Sequence, residues 1–398
     1  MYQIIKHFTD DDLYTFTCMY YILKNYPTAQ VRYNFFDRNN EVYPIEFKTL
    51  LQEQVDKMKE IIITEEEIAF MKKKCYYLPE WFFDFLRGFR YNPKEVHISQ
   101  DKEGHLSIQI EGPWYKTIKW ERMLLATISE LSHYLKGENT DSVMEIYRAS
   151  KKAKLLADAG CKFADMGTRR RFSFTHHNDV IKGLISTGDN YFTGTSNVYL
   201  AMKYDLTPIG TMSHQIISAE EVMSGVFEAN YQVMKKWQDT YHGYLGLYLY
   251  DCFGEKAFFN NVDRTSLMMF DGVRVDSGDE KDQITKLCNI YSKYGINHQQ
   301  KTVCLSNALN AEKAIEIHKW VNGAVKDTYG IGTWFTCNFN AIDKIPELNI
   351  KNKNIVIKLT GFRYSDRHDW HDCIKLSNDK GKTLGNEFKC SYLLKQLS

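Results

Sequence analysis

The residues of this chain that could do chemistry fall in short polar clusters, each behind a run that reads as a β-strand. Within 191–215, Gly194-Thr195-Ser196-Asn197 forms a glycine turn whose hydroxyl and amide side chains suit the cap of a helix over 198–204. Backbone amides at such a helix start favour an anion. One β/α unit further on, a β-like piece at Pro208 and Ile209 runs into Gly210-Thr211-Met212-Ser213-His214, which offers an imidazole. Phe163-Ala164-Asp165-Met166-Gly167-Thr168 is followed by Arg169, Arg170 and Arg171, and the run from Leu247 to Tyr250 by Asp251. Val273-Arg274-Val275 leads into Asp276-Ser277-Gly278-Asp279, Leu305 into Ser306-Asn307, and Tyr329 into Gly330-Ile331-Gly332-Thr333. Taken singly, each has a plainer reading: the arginines as a solvated loop, His214 as a structural histidine, Asp251 or Asp276 as a helix cap, Gly330-x-Gly332 as a weak phosphate signal. Recurring together at one end of the strands, they describe a shared cleft. Its groups suit a phosphorylated sugar, with arginines and backbone amides for phosphate, carboxylates for ribose hydroxyls and a metal, and an aromatic for a flat ring.

Two kinds of element must hold these clusters. From about Ile118, strand and helix patterns alternate past Gly330, which predicts a largely parallel sheet, open or closed into a barrel, with the clusters at its carboxyl end. The first third reads differently. Asp10-Asp11-Asp12-Leu13-Tyr14 precedes a helix-compatible run over 15–25, and Val31, Tyr33 and Phe35 alternate with Arg32 and Asn34 as a strand. Phe47, Leu50, Leu51, Val55 and Met58 recur at helical spacing, Thr64 with Glu67 forms a capping box, and Leu106, Ile108 and Ile110 alternate again. This is the grammar of an α+β subdomain with an antiparallel sheet, and in it Tyr14 reads as a packed aromatic.

Composition excludes several classes. At 398 residues, 43% hydrophobic and 14% aromatic, the chain can bury a large core. Fifty-one basic residues against fifty acidic give no global field for nucleic acid or an anionic membrane, so any anion site must be local. Nine cysteines, scattered and without a C-x-x-C pair, argue against a disulfide framework or zinc site and read as reduced cytosolic thiols. No stretch reads as a signal peptide or a membrane span.

The runs ADMGTRRRFSF, FTGTSNVYLA, PIGTMSH, RVDSGD and YGIGTWFTCNF, with an early DLY and the helix-opening EGPW, stand in family order. Together they resemble nicotinate phosphoribosyltransferase of the bacterial type, within the type II phosphoribosyltransferases, over essentially the whole chain. The resemblance implies an irregular α/β barrel over 121–345 and a sandwich-like α+β subdomain of 1–120, rejoined by the C-terminal segment 346–398. It implies a cytoplasmic NAD-salvage enzyme that makes nicotinate mononucleotide and pyrophosphate from nicotinate and phosphoribosyl pyrophosphate, with Mg2+, and couples this to ATP hydrolysis.

Carried onto this sequence, Asp251 and Asp276 would hold the ribose hydroxyls or the magnesium ion, and Gly330, Gly332 and Thr333 would cradle the 5′-phosphate. Arg169 and Arg274 would line the nicotinate pocket beside Thr195 and Ser196. Met166 takes the place where amide-using relatives put a stacking aromatic. Tyr14 would reach the pyridine ring from the neighbouring subunit of a homodimer. His214 matches the histidine that the family phosphorylates from ATP, a role in coupling rather than bond cleavage. No G-x-x-x-x-G-K-[ST] stretch exists, so ATP would share the same phosphate pocket.

Ser196 stands where similar nicotinamide enzymes have an aspartate, which points to the acid as substrate. One departure is Asn307, where family members commonly carry aspartate after the serine; it keeps the shape and loses the charge. His368 and His371 have H-x-x-H spacing in polar surroundings and read as a surface loop rather than a metal site. Two alternatives stay open: a related phosphoribosyltransferase for nicotinamide or quinolinate, and a non-catalytic nucleotide sensor on the same fold.

Overall fold

A computed structural model describes every residue except 1, 189, 341, 343–347, 377–382, 384 and 398. The alternation at Val31, Tyr33 and Phe35 buries one face of β1 (Gln30–Asp37). β2 (Val96–Gln100) and β3 (Leu106–Pro113) form a hairpin that pairs antiparallel with β1 through β3. The far side of β1 is taken by a strand from the C-terminal segment, Ile355–Arg363, and a two-residue strand, His371–Asp372, completes a five-stranded antiparallel sheet. The helix Glu65–Lys74 carries the Thr64–Glu67 capping box that the sequence signals.

A second, parallel sheet follows in the chain: β4 (Phe163–Asp165), β5 (Phe192–Thr195), β6 (Leu247–Leu249), β7 (Gly272–Val275), β8 (Thr302–Leu305) and β9 (Lys326–Ile331), in spatial order β5-β4-β9-β8-β7-β6. The two later strands are therefore β10 (Ile355–Arg363) and β11 (His371–Asp372). Residues 208–212 span the gap between the edges β5 and β6. Pro208 forms a parallel bridge to Thr195, and Thr211 Oγ1 donates to the Leu247 carbonyl at 2.8 Å. The ring of strands thus runs in chain order as an irregular α/β barrel. Gly194 permits the closure: at φ 138° it lies so near the incoming strand that a Cβ would sit 2.1 Å from the Thr207 carbonyl oxygen.

Asp10, Asp11 and Asp12, just ahead of the helix Leu13–Asn25, are buried and fasten the N-terminal segment to the barrel. Asp10 accepts two bonds from the Arg171 guanidinium, at 2.6 and 2.7 Å, and one from Asn197 Nδ2 at 2.8 Å. Asp11 accepts from Lys119 Nζ at 2.9 Å, and Asp12 from Arg122 Nε at 3.1 Å and the Ser196 hydroxyl at 2.6 Å. Buried ion pairs specify geometry more than they stabilise; here they fix where the 194–197 turn meets the first subdomain. The same turn caps the helix Val198–Lys203, Asn197 Oδ1 accepting from Leu200 N at 3.0 Å. Among the described residues no helix is long and apolar enough to cross a membrane.

Candidate active site

The carboxyl ends of the parallel strands open into a cleft of about 570 Å³, whose opposite wall comes from Tyr33 of β1, Arg38, residues 356–359 of β10 and Lys375. His214 begins the helix His214–Ser224, so its ring stands at the end of the 208–212 piece. Its Nε2 lies 2.9 Å from Asp251 Oδ1, and its Nδ1 is 4.0 Å from Asp276 Oδ2. The other Asp251 oxygen accepts from the Ser277 hydroxyl. Burial, reinforced by Lys375, pushes the imidazole down to about 4, against the pull of Asp251. Burial alone would raise the Asp251 carboxyl; His214, Lys375 and the Ser277 hydroxyl outweigh it and hold it well below the usual carboxylate range. His214 is therefore neutral at physiological pH, Nε2–H donating to Asp251 and Nδ1 carrying the lone pair.

Between the ordinary value of 6.5 and about 4 the unfolded histidine binds a proton that the folded one refuses. The contribution to stability is complete above pH 6.5 and is lost as pH falls toward 4. In denaturant titrations across that window, wild type is expected to lose stability relative to His214→Ala; parallel pH curves for the two proteins would refute the assignment.

Seven cationic side chains line the cleft (Arg38, Arg122, Arg169, Arg170, Arg274, Lys358 and Lys375) against three carboxylates, Asp12, Glu121 and Asp276. A chain of net charge +1 thus concentrates its positive charge in one place. Burial and the neighbouring Arg169 and Arg38 charges push Arg170 down to about 8. A guanidinium keeps its proton, so the shift expresses first the cost of burying this charge and then repulsion by its neighbours, both of which a bound anion would offset. Arg274 Nη1 donates to the Met212 carbonyl at 3.3 Å, while its Nε is buried without a hydrogen-bond partner. Burial lowers Lys358 to about 7, partly countered by Glu121, whose own carboxyl burial raises to about 7.

At the other end of the cleft the Tyr14 ring carries the Arg122 guanidinium 4.3 Å from its centre, and Tyr14 Oη is buried without a partner. Met166 faces Gly330, where a Cβ would lie 2.4 Å from the thioether sulfur. Only glycine leaves room for that side chain.

Of the residues singled out in the sequence, His214, Arg274, Asp276, Tyr14, Met166, Arg169, Ser196, Asn307, Gly330, Gly332 and Thr333 line this one cleft. Asp251 stands behind His214. Thr195 faces away, fully buried, its hydroxyl donating to Asp165 Oδ2 at 2.6 Å; its neighbour Ser196, just past the end of β5, lines the cleft instead. The arginine run is no solvated loop, since Arg169 and Arg170 line the cleft and Arg171 is wholly buried against Asp10. Tyr14 lines the cleft of its own chain. His368 and His371 are exposed, and the one close three-ligand grouping among the described residues is Asp101, Glu103 and His105 on the β2–β3 loop. Sequence reading missed Arg38, Asp12, Glu121, Arg122, Lys358 and Lys375. Lys358 left a signal, a lysine inside the apolar strand Ile355-Val356-Ile357-Lys358-Leu359.

A barrel that gathers cations around a neutral imidazole at its carboxyl end is suited to a phosphorylated, anionic substrate. Residues 161–396 match the model of the nicotinate phosphoribosyltransferase (NAPRTase) family, and residues 9–129 that of the NAPRTase N-terminal domain. The chain is 37% identical over 396 residues to a nicotinate phosphoribosyltransferase of Desulforapulum autotrophicum, covering 99% of each. It is 36% identical over 380 residues to that of Chromohalobacter salexigens, covering 95% of this chain and 94% of the other. The crystal structure of nicotinate phosphoribosyltransferase from Porphyromonas gingivalis matches at TM-score 0.94 and 34% identity, over 99% of this chain and 100% of that one. The chain belongs to the nicotinate phosphoribosyltransferase family.

Proposed function

We propose that the cleft transfers the phosphoribosyl group of phosphoribosyl pyrophosphate to the ring nitrogen of nicotinate, releasing pyrophosphate, and that ATP drives the cycle through phosphorylation of His214. The observation that carries this reading is the cationic cleft around a neutral His214, in a chain of this family. Breaking the bond from the anomeric carbon to pyrophosphate leaves positive charge on the ribose and negative charge on the leaving group. Fixed charges aimed at both dominate such catalysis.

The cations divide by position. Arg38, Lys358 and Lys375, on the wall opposite the barrel, suit the diphosphate. Asp276 faces the ribose and its developing charge. Asp276, which lines the cleft, is also a carboxylate that could hold a magnesium ion; Asp251, buried behind His214 and already accepting from it and from Ser277, is less open to the cleft. Magnesium, when bound, neutralises phosphate charge and commonly needs only one or two protein carboxylates. Tyr14 and Met166 suit the flat faces of the pyridine ring. Arg169, Arg122 and Arg274 give that end the charge to prefer a carboxylate over an amide. Asn307 reaches the Gly278 carbonyl at 3.4 Å, and its amide adds a neutral contact for ribose or phosphate.

With Nε2 engaged by Asp251, Nδ1 is the nitrogen that attacks the γ-phosphorus of ATP; the Nδ1–P bond forms as the bridging P–O bond to ADP breaks. The neutral ring brings a lone pair and has no proton to lose from that atom. Phosphohistidine there lies between Asp276 and the cations and changes the affinity for the donor. A homodimer in cytoplasmic NAD salvage completes the reading.

The test of substrate class is product formation from phosphoribosyl pyrophosphate with nicotinate, nicotinamide or quinolinate in parallel. Nicotinate mononucleotide is the expected main product. Turnover confined to another base would overturn the pocket assignment, and none with any base would favour a nucleotide sensor.

A further inference from the structure

Lys152 lies on the inner face of the helix Ser142–Asp158 and is 2% exposed. Its ammonium donates to the backbone carbonyls of Trp334 and Asn338, both at 2.6 Å, and stands 4.7 Å from the centre of the Trp334 ring. Glu145, on the same face of that helix, is taken by Arg148. Burying an ammonium is costly. A methionine would fill the space at less cost, so what the lysine adds is the two bonds.

Those carbonyls bracket the end of the single-turn helix Thr333–Thr336, directly after Gly330-Ile331-Gly332. The last carbonyls of a helix have no partner within it. On its other side the turn is pinned to the stretch after β4. Thr336 Oγ1 donates to the Gly167 carbonyl at 2.9 Å, Phe172 N donates to the Thr336 carbonyl at 2.9 Å, and a Cβ on Gly332 would lie 2.9 Å from Met166 O. Gly330, Gly332, Thr333, Trp334 and Asn338 all line the cleft.

We infer that Lys152 is a positioning residue for the cleft: through the Trp334 and Asn338 carbonyls it holds the 330–338 turn in the shape that receives the phosphate of the ribose donor. The part concerning the donor rests on the function proposed above; the part concerning the turn does not.

The test uses the full chain and the variants Lys152→Met and Lys152→Gln. Backbone hydrogen exchange is followed over 330–338, and steady-state kinetics are run with both substrates. In Lys152→Met, exchange over 330–338 is expected to rise about tenfold with the rest of the barrel unchanged. The KM for phosphoribosyl pyrophosphate should rise about tenfold, while kcat and the KM for nicotinate stay within about twofold. Lys152→Gln, which keeps an N–H donor, should move both readouts the same way by less, and it decides the matter if the methionine variant does not fold. A lysine that only filled space would lower the active fraction, and so kcat, with both KM values and the exchange unaltered; that result overturns the inference. If wild type shows no turnover with nicotinate, the proposed function fails and hydrogen exchange alone decides the role of Lys152.

Discussion

Replacing His214 by alanine is expected to erase the response to ATP while leaving a basal transfer reaction. In wild type, Mg-ATP should tighten the apparent affinity for phosphoribosyl pyrophosphate by about 5–150-fold, the range that about 1–3 kcal/mol of coupling between sites delivers. In His214→Ala the two curves, with and without ATP, should coincide. The reason is local: the imidazole is buried, neutral and held by Asp251 with Nδ1 left open. Wild-type protein incubated with γ-labelled ATP should carry acid-labile label on Nδ1 of His214. Label on Nε2 would contradict the hydrogen-bond assignment, and label retained in His214→Ala would put the acceptor elsewhere. Asp251→Asn is expected to slow labelling without abolishing it, because it removes the negative charge that favours Nε2–H and introduces an amide donor that can oppose that tautomer, yet spares the nucleophile.

Ser196→Asp should produce a larger loss, directed at the base. The Ser196 hydroxyl donates to Asp12 Oδ1 at 2.6 Å, so it stabilises a carboxylate already present and balanced by Arg122, rather than standing free for the substrate. A second carboxylate there would face both Asp12 and the carboxylate of nicotinate. Two like charges about 4 Å apart at an effective dielectric near 20 repel by about 4 kcal/mol, about a thousandfold in kcat/KM at 1.4 kcal/mol per factor of ten. Protonating one of the crowded carboxyls relieves the repulsion, so the defect should shrink as pH falls. Ser196→Asn, neutral and of similar size to aspartate, separates charge from bulk. Unchanged nicotinate kinetics in Ser196→Asp would remove the electrostatic basis for acid preference.

Much of the barrel side of the cleft was legible because each polar cluster follows a strand, and strand ends are local features. Asp276, Asn307 and Gly332 are placed by the two or three residues before them. The opposite wall was not legible, because its members depend on pairings between distant segments. Lys358 reaches the cleft through the pairing of β10 with β1, in a register shifted at Arg32 and Tyr33. Lys375 reaches it because Leu376 bridges to Phe253 and the Ile374 carbonyl accepts from the Ser218 hydroxyl. In sequence alone a lysine in an apolar strand can face either way. Thr195 and Ser196 show the same limit at the scale of one residue: the GTSN turn was legible, but which hydroxyl faces the cleft was decided by Asp165 and Asp12. The Asp10-Asp11-Asp12 run gave no hint of its role either, since its partners Arg171, Lys119 and Arg122 are more than a hundred residues away.

The measurement closest to the central claim is nicotinate-dependent release of pyrophosphate from limiting phosphoribosyl pyrophosphate by purified protein, with and without Mg-ATP. ATP is expected to accelerate release, with ADP formed in step with pyrophosphate. Release that needs nicotinate but ignores ATP would contradict the coupling through His214, and release indifferent to nicotinate would contradict the transfer reaction itself.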